Sequence, residues 1–196
     1  MKTLAAFFVI VFLVSSLAQA GPLQDRIIAE AERHLGKEYV FGGRDGRPGC
    51  LKQGRRVTCA QGIDCQSLIF FALEKVLDKP WRSFSVMPSK TVKRCEWGKP
   101  VSGLMGVLRA ELKENKLHKA DALFFLLEDY NLEADKALWK KKGKRYGVWH
   151  TGLVHRVKGD KAYVIHAKPG HKVVIEPLQE IEFEALYVVR IPPKEK

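Results

Sequence analysis

Beyond residue 20 the sequence contains no apolar run approaching the ~20 residues that cross a bilayer, so no transmembrane anchor is expected. Acidic residues are scarce, 22 against 34 lysines and arginines. No internal repeat or low-complexity segment interrupts the chain. It also lacks a helix-turn-helix, zinc-finger or aromatic-plus-basic signature, which argues against nucleic acid as the partner. Cys65, His150, His155, His166 and His171 lack the close paired spacing of a structural zinc site, so neither metal nor cofactor is expected. His155 and His171 read as surface residues. Cysteines number four, and none follows residue 20 directly, where a lipid would be attached.

What is present begins with Lys2, an apolar run from Leu4 to Val14, and Ala18-Gln19-Ala20. This pattern identifies residues 1–20 as a cleaved export signal and residues 21–196 as one domain. The net charge of +12 falls to +11 when Lys2 is removed. Such a surface favours anionic partners. In a periplasmic or secreted protein these are the anionic polymers of a bacterial envelope, met by a monomer.

Export places Cys50, Cys59, Cys65 and Cys95 in an oxidising compartment, where spare thiols pair. Cys50 and Cys59 flank a Gly- and Arg-rich loop and are the expected bridge, with Cys95 left over. Four cysteines allow three complete pairings, and pairing of Cys65 with Cys59 or Cys95 is the structural alternative to a reactive thiol.

Periodicity predicts a helix over 22–35, stopped by Gly36, and a second from Asp64 to about Leu77. Between 79 and 119 only Val107 to Leu117 looks helical. Short apolar runs then predict strands at 122–127, 148–157, 162–167, 172–178 and 185–191. The last four are expected to form an antiparallel meander. Helices followed by strands indicate an α+β domain, with helices on one face of a five- to six-stranded antiparallel sheet. Residues 130–146, rich in lysine, read as a basic loop or short helix, which composition alone assigns to a solvated linker.

Cys65 follows Gly62-Ile63-Asp64 and opens an amphipathic helix, with Asp64 as its cap. Unpaired amides and the helix dipole there favour a thiolate and can hold an oxyanion. His150 and His166 fall on successive predicted strands. That placement suits a base and its orienting partner.

Five stretches in order resemble the NlpC (p-sixty) cell-wall cysteine peptidases. They are Leu35 to Gly43, Asp64-Cys65-Gln66-Ser67-Leu68, Asp121 to Phe125, His150-Thr151-Gly152-Leu153-Val154, and Val164-Ile165-His166-Ala167. The resemblance implies a papain-like fold and hydrolysis of amide bonds in peptidoglycan stem peptides, in many members between D-γ-glutamyl and a diamino acid. It implies Cys65 as nucleophile, His150 as base and His166 as orienting group. Tyr39 would assist the oxyanion and Asp64 would recognise a free amine. Gln66 and Ser67 stand where the family has Ser-Gly and would meet substrate. Phe41 replaces a tryptophan, and the chain is longer than usual between Gly43 and Asp64 and between Cys65 and His150. An amidase or acyltransferase of the same fold, and a disulfide-stapled, non-catalytic envelope-binding protein, are the alternatives.

Overall fold

The computed structural model describes residues 23–53 and 55–191; the predicted export signal lies outside them. Helix α1 (Leu23–Glu32) buries Ile27, Ile28 and Ala31, the stripe that its spacing predicts. Strands β1 (Pro48–Lys52) and β2 (Arg55–Thr58) form a separate hairpin closed by a Cys50–Cys59 disulfide. Helix α2 (Cys65–Leu77) is apolar on most sides, and Leu68 to Leu73 are buried without a break.

Seven strands form the main sheet: β3 (Lys99–Leu108), β4 (Ala122–Glu128), β5 (Trp139–Lys141), β6 (Lys144–Lys158), β7 (Lys161–Ala167), β8 (Val173–Pro177) and β9 (Ala185–Arg190). Their order is β3-β9-β4-β6-β7-β8, with β5 paired to the outer end of β6. All pairings are antiparallel. The expected α+β class holds, with one strand more than the upper expectation.

Alternation along β4 explains the two sides of this sheet. Phe124 and Leu126 face the core that includes α1 and α2, while Leu123 and Phe125 face a second core with Leu117, Leu178, Ile181 and Phe183. Trp97 is buried in the first core, stacked on Phe124 with ring centres 5.1 Å apart, and anchors the stretch after α2. That stretch includes a short helix, α3 (Pro88–Lys93).

Three expectations require correction. The last four strands are not a meander, because β9 leaves β8 and inserts between β3 and β4. Ala122↔Val189 pairing is reinforced by buried Asp121, which takes two 2.8 Å bonds from Arg190. No helix spans 107–117; β3 ends at Leu108 and two short 3-10 turns follow, at Arg109–Glu111 and Glu114–Lys116. The basic stretch 130–146 is not helical: residues 130–138 are turns and loop, as one of the two expected forms had it, and the rest folds into the β5–β6 hairpin, with Lys141, Lys144 and Arg145 paired to Glu111, Glu128 and Asp129. No described helix is long and apolar enough to cross a membrane.

Candidate active site

The start of α2 is fixed by a reciprocal cap. Asp64 Oδ1 accepts from the Ser67 amide at 2.7 Å, and Ser67 Oγ accepts from the Asp64 amide at 3.0 Å. Oδ2 of Asp64 accepts from the Gly42 amide at 3.2 Å and is ion-paired with Arg44. Both members of that pair are buried. The Gly42-Gly43 turn reaches this helix end because Gly43 has no side chain: a Cβ there would lie 2.7 Å from the Gly62 carbonyl oxygen. Asp64 is thus committed to the helix and to Arg44. Ser67 is fully buried within the cap and does not line the cavity.

Cys65 therefore occupies the first position of α2 and opens into a cavity of about 300 Å³. Tyr39, Gln66, Val148, Trp149, His150 and Thr151 line it as well. Cys65 is not in a disulfide; nor is the exposed Cys95. Burial, then the charge of Asp64, pushes the thiol up to about 11, against the lowering effects of the neighbouring Thr151 and of the charge of Arg44. Burial thus favours the protonated thiol, in opposition to the thiolate that the helix start favours. Tyr39 is raised to about 12 by burial, then by Cys65 and Asp64, so its hydroxyl remains a donor.

Two strand positions meet beneath the cavity. His150 Nε2 and His166 Nδ1 are 2.6 Å apart, and His166 Nε2 lies 3.0 Å from Glu176 Oε1 on β8. Lys168 Nζ donates to Glu176 Oε2 at 2.6 Å. A carboxylate only accepts, so this chain sets the protons. His166 carries its proton on Nε2, its Nδ1 accepts from His150 Nε2–H, and His150 Nδ1 keeps a lone pair. That Nδ1 is buried and has no hydrogen-bond partner among the described residues. Burial, then the neighbouring His166, holds His150 well below the ordinary imidazole range. Burial lowers His166 to about 4 against the opposing pull of Glu176. Phe125, stacked at 5.6 Å, and Trp149, at 5.0 Å, fix the His150 ring.

The structure thus gathers Cys65, His150, Tyr39, Asp64 and Gln66 around one cavity, with His166 directly behind His150. Arg44, Thr151 and Glu176 were not singled out from the sequence. Glu176 gave the clearest available signal, a lone acid ending the apolar run Val173-Val174-Ile175.

The class defined by fold and site is an α+β domain with a cysteine at a helix start beside a buried histidine pair. No family model matches the chain, and no curated protein matches its sequence. Solved structures resemble its chain path. The peptidoglycan hydrolase RipB from Mycobacterium tuberculosis is 19% identical with a TM-score of 0.48, over 86% of this chain and 64% of that one. This chain therefore spans just under two thirds of RipB. RipD from Mycobacterium tuberculosis, a non-catalytic NlpC/p60 domain protein with an adaptation to peptidoglycan binding, is 17% identical at 0.48, over 88% and 99%. The p60 domain of a Mycobacterium avium paratuberculosis antigen is 13% identical at 0.47, over 87% and 93%.

Proposed function

We propose that the protein is an exported cysteine hydrolase that cleaves amide bonds in peptidoglycan stem peptides. The observation that carries this reading is His150 Nδ1, a buried imidazole nitrogen with no partner in the cavity wall shared with Cys65. His34 Nδ1 is likewise buried and unpartnered, but His34 does not line this cavity; the wall shared with Cys65 and the His166–Glu176 chain behind the ring are what give the free nitrogen of His150 a use. Cys65 is nucleophile, His150 base and His166 the orienting group.

Forming the free thiolate at pH 7 from a group near 11 costs about 5 kcal/mol, which favours proton transfer during attack over a standing ion pair. The thiol proton turns to His150 Nδ1 as substrate enters. Sγ then bonds to the carbonyl carbon while His150 takes the proton. The oxyanion lies against the first amides of α2 and the Tyr39 hydroxyl. As the C–N bond breaks, His150 returns that proton to the leaving amine. Water, deprotonated by His150, then cleaves the thioester and regenerates the thiol.

Digestion of purified sacculi with fragments identified by mass tests both activity and bond. Wild type should release stem-peptide fragments and Cys65→Ala should release none. Equal release by the two proteins would sink the mechanism.

A further inference from the structure

Among the described residues, Arg44 and Asp64 are the only formally charged side chains lining the cavity, and they are paired with each other. Three donors converge on the Asp64 carboxylate, the Ser67 amide, the Gly42 amide and Arg44, while Ser67 Oγ, 2.6 Å from both Asp64 Oδ1 and the Gly43 carbonyl oxygen, has one proton to give to either. An ammonium arriving there would find the carboxylate's charge already paired and a guanidinium beside it. The free-amine recognition implied by the family resemblance is therefore spent on holding the helix.

The rim differs from the floor. Among the described residues five large apolar side chains are exposed, and three of them line this one cavity: Phe41 at 89%, Val86 at 61% and Tyr130 at 41%. Gln66 Nε2 donates to the Val86 carbonyl at 3.2 Å, tying that part of the rim to the first turn of α2. Apolar surface concentrated around a cavity without net charge fits a ligand of the same character.

We propose that the cavity selects an amide whose amine is blocked by acylation and which carries an apolar group over the Phe41, Val86 and Tyr130 rim, and that it rejects the free amine. The catalytic consequence rests on the amide-hydrolase reading above; the binding preference does not. A stem peptide still joined to its glycan has its terminal amine acylated, whereas a released one has it free. The preference therefore assigns the enzyme to attached stems.

Three forms of one alanyl-γ-glutamyl-diamino acid tripeptide test this: free terminal amine, N-acetyl and N-octanoyl. Calorimetric titration into Cys65→Ala reads binding, and turnover by wild type reads catalysis. The acetyl form should bind at least ~10-fold more tightly than the free amine, and the octanoyl form another ~10-fold, the gain from burying about two methylenes. Combining Phe41→Ser with Val86→Ser, both at exposed positions, should bring octanoyl binding down to that of the acetyl form on the same variant. Equal or tighter binding of the free amine overturns the proposal, as does failure of all three forms to bind at millimolar concentration. The predicted binding order with no turnover of any form by wild type would instead overturn the hydrolase reading and leave the selectivity standing.

Discussion

Glu176 is too far back to touch substrate, yet it determines which nitrogen of His150 is free. By accepting from His166 Nε2 it leaves His166 Nδ1 as acceptor, and this in turn fixes the proton of His150 on Nε2. Its role is positioning. Replacement by Gln removes the negative charge and allows a side-chain N–H to face His166, which favours the opposite tautomer in both rings. Glu176→Gln should lower kcat ~10–100-fold with KM nearly unchanged, a milder loss than when the group bonded directly to the base is altered. The charge also supports the imidazolium that forms during attack, so its loss lowers the effective pKa of His150. The acid limb of the kcat profile should therefore move to lower pH. A uniform loss without movement of that limb would reduce Glu176 to a packing role.

At the scale of elements, the start of α2 depends on one buried pair. Asp64→Ala removes the cap, about 1 kcal/mol, and strands the Arg44 cation in a site where its side chain is only 7% exposed, about 3 kcal/mol more. Urea unfolding should register a loss of ~4 kcal/mol, of which Arg44→Met in the same chain should restore more than half. If Asp64→Ala alone cost under ~1 kcal/mol, the pair would not be what fixes the nucleophile's helix. Elements with local signals were legible in the sequence. α2 announces its cap, and Lys158-Gly159-Asp160 announces the turn between β6 and β7. β3 was not legible, because Pro100, Gly103 and Gly106 break its alternation and its partner β9 lies some eighty residues on. Gly106 is needed where a side chain would meet the Trp139 ring at 2.3 Å, a constraint visible only after folding. The same reason hides Arg44: nothing near it in sequence marks it as the buried counterion of Asp64. The run Val107, Leu108, Leu112 and Leu117 imitates a helical stripe, yet its members lie at a strand end and just after two tight turns, and they divide between the cores: Leu108 packs on the first and the other three on the second.

Across the whole molecule, the histidine pair and His34 share one consequence, since folding holds all three neutral. Burial lowers His34 to about 4, with Lys37 as the next cause, then Arg47 and Arg33 in the same direction and Asp45 opposing. His166 also falls to about 4, and His150 well below its ordinary value. An unfolded chain takes protons at these positions near 6.5, while the folded chain takes them only near 4 or lower. Unfolding therefore consumes protons between those values, and stability present above 6.5 is lost as the pH falls through the window. The net charge of +12 before any histidine ionises adds self-repulsion of the same sign. His34 isolates the histidine share, because it lies outside the cavity, packed on Phe71 with ring centres 5.6 Å apart. His34→Phe removes one of the three groups without touching Cys65, His150 or the carboxylates that titrate in the same range. Its stability, followed by urea unfolding between pH 7 and 4.5, should fall less steeply than that of wild type. The slopes should differ by up to about one proton, ~1.4 kcal/mol per pH unit, reduced by the solvent that His34 still meets. Parallel slopes would mean that His34 ionises in the folded protein as readily as in the unfolded chain, and that its burial carries no part of the acid sensitivity.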